Sequence, residues 1–129
     1  MRKLINSFDI DGVIYLGEGV TGLFPGPNDV IITGRSFEEE PETIRMLHAR
    51  GIHNKVYFNP LKFDAKSRES SGQHKARIIN MLAESGVTVS FHFEDDPVQI
   101  EQIRPLVTTT QVIHVNSNGL VPLENVRHK

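Results

Sequence analysis

The feature that most constrains this chain is an alternation of short β-rich runs with helix-like segments. The runs lie at 3–9 (KLINSFD), 29–34 (DVIITG), 55–58 (KVYF), 87–93 (VTVSFHF) and 111–117 (QVIHVNS). Helical patterns fall between the later runs. In 41–51 (PETIRMLHARG), Pro41 suits the first helical position and Gly51 the C-terminal cap. In 72–86 (GQHKARIINMLAESG), Ile78, Ile79, Met81 and Leu82 share a face and Gly86 supplies the stop. In 96–106 (DPVQIEQIRPL), Asp96 reads as N-cap, Pro97 as first residue and Gln99 as the partner in a capping box. This order predicts an α/β fold, a Rossmann-like three-layer sandwich with a mainly parallel five-stranded sheet and helices on both faces. The passage 12–28 has glycine at 12, 17, 19, 22 and 26 and reads as loop or small hairpin.

A length of 129 residues suits a single domain, 1–129, rather than two. An apolar share of 38% and a charged share of 23% describe a soluble globular chain. The net charge of −2 provides no overall basic field to recruit nucleic acid or an anionic membrane. The absence of cysteine excludes disulfides, thiolate metal sites and a cysteine nucleophile. The N-terminus MRKLINSFDIDG turns acidic too soon for a signal peptide, and no apolar stretch is long enough to span a bilayer, so a cytoplasmic location is expected.

In parallel α/β sheets ligands bind outside the C-terminal ends of the strands. Strand one ends in Asp9-Ile10-Asp11, strand two in Thr33-Gly34-Arg35 and strand four in Glu94-Asp95-Asp96, while Lys75 sits near the start of the second helix. Two aspartates one residue apart at the end of a buried strand repel each other unless a positive charge lies between them. Carboxylates at this density suit a hard divalent cation, typically Mg²⁺ with a phosphate partner, and Gly12 lets the backbone turn straight after them.

These residues resemble the motifs of the haloacid dehalogenase-like superfamily. FDIDGVI is similar to its first motif, VIITGRS to its second, Lys75 in SGQHKARIINML to its third and FHFEDDPVQIEQI to its acidic fourth, in the family's order. The resemblance implies a Mg²⁺-dependent phosphatase. Asp9 would be the nucleophile and Asp11 the general acid and base; Thr33 would bind the phosphoryl group and Lys75 offset its charge. It places the metal on Asp9, the backbone carbonyl of Asp11 and one fourth-motif acid, taken as Asp95. Asp96 is explained as an N-cap, and Glu94 is left as either an outward strand residue or a group supporting the site. The segments ITGRS and EDDPVQIEQIR, with Arg68 ahead of Lys75, are similar to the phosphatase domain of polynucleotide kinase-phosphatases. That likeness implies a phosphorylated small molecule, nucleotide or nucleic-acid end as substrate, with Gly34, Arg35 and Arg68 binding it.

The intervals between motifs leave no room for the family's cap domain. The site is expected to be open, or lidded only by a flap around Tyr15, Leu16, Phe24 and Pro25, or by a partner or second copy. The first interval is also short for a crossover helix. Arg35 is open to two readings, a substrate phosphate or the run Glu38-Glu39-Glu40. Lys62, Lys66, Arg68, Lys75 and Arg77 form a basic cluster that either tracks a phosphodiester backbone or is simply solvated. His92 and His114 read as structural, and His74 as core or near the substrate. A non-catalytic binding module and a phosphotransferase are the alternatives to hydrolysis.

Overall fold

The computed structural model describes residues 2–116. Ser117, the last residue of the fifth predicted strand, lies outside them. Five strands, β1 (Lys3–Phe8), β2 (Val30–Ser36), β3 (Val56–Asn59), β4 (Val87–Glu94) and β5 (Gln111–His114), form one sheet in the order β3-β2-β1-β4-β5. Every pairing is parallel. Helix α1 (Glu40–Ala49) follows a 3₁₀ turn at Phe37–Glu39, α2 (Arg68–Glu84) precedes β4 and α3 (Pro97–Ile103) follows it. None of these helices is long and apolar enough to cross a membrane.

Strand alternation sends apolar side chains to opposite faces. Val30 and Ile32 join Ile5, Val89 and Val112 beneath Ala76, Ile79 and Leu82 of α2 and Ile100 and Ile103 of α3. Ile31, between them in sequence, packs with Phe8 against Leu47 of α1 and Ile52. The result is the three-layer α/β sandwich expected from the alternation.

No helix links β1 to β2. Ile10, Val13 and Ile14 complete the α1-side core instead. The chain then folds back, with Gly22 N donating to Ile14 O (2.7 Å) and Leu23 N to Val13 O (2.8 Å). Of the residues expected to form a flap over the site, Tyr15 is bridged to Asp11, whereas Phe24 and Pro25 lie away from the strand ends. The Tyr15 ring lies under the Arg50 guanidinium just past the C-terminal end of α1, and Phe24 and Pro25 line a cavity with Gly51, His53 and Asn54, ahead of β3. Apolar burial against α1 draws the passage down the side of the sheet.

Three local departures matter for the site. Helix α2 starts at Arg68 rather than Gly72, because Ser67 and Ser70 cap it reciprocally, side chain to backbone in both directions. Its buried face holds Ser71, Gly72, His74, Lys75, Ala76, Ile79 and Leu82, whereas Met81 is exposed. Close approach to α3 rotates the helix this way: a Cβ on Gly72 would lie 2.8 Å from Gln102 Cβ and 3.0 Å from Gln99 O. Asp96 and Pro97 open α3 as expected, but Gln99 Nε2 donates to Asp96 Oδ2 (3.1 Å), a side-chain bond in place of the expected capping box.

Candidate active site at the strand ends

The strand order reverses between β1 and β4, the place where an open parallel sheet leaves a crevice. Phe8 is in register with Phe93, and Asp9 N donates to Phe93 O at 3.1 Å, which brings Asp9 beside Glu94. A bulge in β4 aims Glu94 inward. Ile5 pairs with Val89 but Asn6 with Phe91, so Ser90 is an extra residue and the alternation changes phase there. His92 and Glu94 consequently take over the α2-facing side from Val89, and both are fully buried. Of the two readings of Glu94, the inward one holds.

Lys75, on the buried face of α2, meets these acids. Its Nζ lies 3.0 Å from Asp9 Oδ1 and 2.7 Å from Glu94 Oε1. Burial works against the ammonium, but the attraction of Asp9 and Glu94 and their hydrogen bonds outweigh it, and its pKa is raised. Glu94 is pushed up to about 8, first by burial and then by the charge of Asp9. His92 continues the buried chain, with Nε2 3.1 Å from Glu94 Oε1 and Nδ1 2.7 Å from Ser7 Oγ. Burial, then the Lys75 charge, lowers its pKa to about 3 and keeps it neutral.

Carboxylate oxygens of Asp9, Glu94 and Asp95 lie within 4.8 Å of one another and could hold a metal ion. Gly12 makes room for this. It adopts φ +86°, and a Cβ there would fall 1.8 Å from Asp95 Oδ2, so no other residue leaves the Asp95 carboxylate in place. Hard oxygen donors clustered beside one buried ammonium are a donor set that fits a divalent cation of the Mg²⁺ kind.

Asp11 faces the other way. Arg35 Nε donates to Asp11 Oδ2 (2.9 Å) and its terminal nitrogen to Asp11 Oδ1 (2.7 Å), while the third nitrogen reaches Thr43 Oγ1 of α1 (3.1 Å). Thr33 is fully buried in β2, where its Oγ1 accepts from Arg35 N (3.0 Å) and orients that residue. Gly34 offers its carbonyl to Asn59 Nδ2 at 3.5 Å. The Glu38–Glu40 run is not the main partner of Arg35. Glu39 caps Ser36 N (2.8 Å) and Glu38 accepts from Phe63 N (2.8 Å). The Arg35–Asp11 clamp was missed in the sequence because nothing local links residues 24 positions apart.

Arg68 lies at the margin. Its half-exposed guanidinium grips both oxygens of Asp96, at 3.0 and 2.5 Å, and Asp96 also caps α3 by accepting from Val98 N (3.0 Å). The basic cluster is thus dispersed: Lys75 is inside, Lys66 lies 3.9 Å from Glu39 and Arg68 is tied to Asp96, leaving Lys62 and Arg77 exposed. His74 is buried, and desolvation lowers its pKa to about 4. His114 Nε2 lies 3.2 Å from Asp95 O.

No protein-family model and no curated protein matches this sequence. In three dimensions the chain is similar to one in the solved structure of the Pnkp1/Rnl/Hen1 RNA repair complex. The TM-score is 0.65 at 14% sequence identity, and the match covers 89% of this chain and 43% of that one. This chain therefore spans less than half of the chain it resembles, and the likeness is one of fold.

Proposed function

We propose that the chain is a Mg²⁺-dependent phosphomonoester hydrolase of the haloacid dehalogenase type, a single domain without a cap, that acts on a nucleotide or nucleic-acid terminal phosphate. The observation that carries this reading is the Lys75 ammonium 3.0 Å from Asp9 within the Asp9–Glu94–Asp95 cluster, at the crevice of the sheet. Asp9 attacks phosphorus to form an aspartyl-phosphate as the ester oxygen leaves with a proton from Asp11. Asp11 then takes a proton from the water that cleaves the acyl phosphate, releasing phosphate and restoring Asp9. Lys75 offsets the charge on the transferring group, and Thr33 orients it. Asp9, the Asp11 carbonyl and Asp95 would hold Mg²⁺, which supplies charge neutralisation at the phosphoryl oxygens. Similarity in fold to a chain of an RNA repair complex supports the choice of substrate class.

The test is turnover of an aryl phosphate and of 3′- and 5′-phosphorylated oligonucleotides, with and without Mg²⁺, by wild type and Asp9→Asn. Metal-dependent release by wild type and none by the variant is expected. Wild type no better than Asp9→Asn on every substrate removes the proposal. One observation favours a second reading, a binding module: both oxygens of Asp11 are already engaged by Arg35. Beryllium fluoride with Mg²⁺ mimics an aspartyl-phosphate and raises the melting temperature only of a competent site.

A further inference from the structure

The Arg35 clamp conflicts with the role given to Asp11. A carboxyl that accepts from the guanidinium through both oxygens is a poor proton donor to a leaving group, and Asp11 is almost wholly buried. A second cation stands beside it. Lys66, with its side chain 3% exposed, lies 3.9 Å from Glu39 and close enough to Asp11 and Arg35 to feel both charges. A buried guanidinium and a partly buried ammonium therefore lie near Asp11, Arg35 bound to Asp11 itself and Lys66 beside Glu39. Arg35 also feels the charge of Asp9, so this pair lies within electrostatic reach of the nucleophile.

We propose that Arg35 and Lys66 form a subsite for a second anionic group of the substrate, a place held in this structure by the carboxylates of Asp11 and Glu39. The inference rests on the phosphomonoesterase reading and narrows its substrate to an ester carrying another phosphate near the scissile one, as the end of a polynucleotide does. The planar fork that grips Asp11 fits a phosphate equally well. Thr43 holds the third nitrogen of Arg35 from α1, so the Nε edge can exchange partners without the side chain leaving its seat. The exchange frees the Asp11 carboxyl to serve the leaving oxygen. The second anion thereby binds the substrate and releases the acid, and esters lacking it are poor substrates.

The experiment compares a nucleoside 3′,5′-bisphosphate with the two corresponding monophosphates on the full chain, using wild type, Arg35→Gln, Arg35→Lys and Lys66→Gln. Wild type is expected to favour the bisphosphate by about tenfold or more in kcat/KM, the size of a lost charged hydrogen bond. Arg35→Gln and Lys66→Gln should lose most of that preference, and Arg35→Lys should recover part of it. Absence of a preference in wild type, or equal losses on both substrate types, overturns the subsite and leaves Arg35 as a support for Asp11. Binding supplies an arm independent of turnover. In Asp9→Asn, the bisphosphate should raise the melting temperature more than either monophosphate, and a second substitution, Lys66→Gln, should remove the difference. Equal shifts overturn the subsite even where hydrolysis is observed. Larger shifts without turnover of any ester keep the subsite and remove the phosphatase.

Discussion

Among single residues, Glu94 and two buried histidines govern how the protein responds to pH. Glu94 comes first. Its carboxyl titrates at about 8 in the fold against an ordinary 4.5, so between those values the folded state keeps a proton that the unfolded chain has lost. Stability therefore falls as pH rises through that window. His92 and His74 act in the opposite direction. Their values drop from 6.5 to about 3 and about 4, so the fold refuses protons that the unfolded chain accepts, and stability falls as pH falls below 6.5. Lys75 is raised above 10.5 and contributes no slope here. Below 6.5 the two imidazoles outweigh the one carboxyl; between 6.5 and 8 the imidazoles are neutral in both states and the Glu94 slope remains. Urea midpoints measured in EDTA should peak near pH 6.5 and decline on both sides. Mg²⁺ should flatten the alkaline decline, because a cation beside Asp9, Glu94 and Asp95 favours the ionised carboxylate. A stability that climbs steadily from pH 6.5 to 8 in EDTA would show that Glu94 is not held protonated.

Among the elements, α2 and β4 decide where Lys75 and Glu94 point, and they mark the limit of what the sequence discloses. The places of Asp9, Asp11, Thr33 and Lys75 at the strand ends and on α2 were legible, though not their partners, because each sits beside a strong local signal, the end of an apolar strand or the start of an amphipathic helix. The sheet and its helices were legible for the same reason. Glu94 was not, since the Ser90 bulge breaks an alternation that VTVSFHF displays without a flaw. The first turn of α2 was hidden too, because Ser67 and Ser70 look like part of a polar loop until the helix they cap has formed. Gly72 gives a direct test of the α2–α3 contact. In an exposed helix interior, Gly→Ala stabilises by about 0.5–1 kcal/mol. Here the added Cβ would meet Gln102 Cβ at 2.8 Å and the Gln99 carbonyl at 3.0 Å. Gly72→Ala should instead cost about 1–3 kcal/mol, the usual range for overpacking, and should lower turnover by shifting Lys75 one turn along. Denaturant midpoints and kcat check both parts. A stabilised variant would mean that the two helices are not in close contact.

For the whole molecule, the distribution of charge limits how a polynucleotide end, the substrate proposed above, would be held. The net charge is −2, and the cations nearest the strand ends are committed to acidic side chains, Lys75 to Asp9 and the Glu94 carboxyl, Arg35 to Asp11 and Arg68 to Asp96. With these cations so committed, affinity should come from the end of a strand rather than from its length. Single-stranded nucleic acid releases about 0.7 counterions per phosphate neutralised. With Arg35 and Lys66 contacting one or two phosphates, log kcat/KM for a phosphorylated oligonucleotide should fall against log salt with a slope of about −1. Lengthening the strand from a dinucleotide to a dodecamer should leave that slope and the rate nearly unchanged. Measurement of both strands over a range of KCl concentrations tests this. A slope of about −3 or steeper for the dodecamer alone would reveal a groove that follows the backbone, and recognition of the strand end would then be too narrow an account.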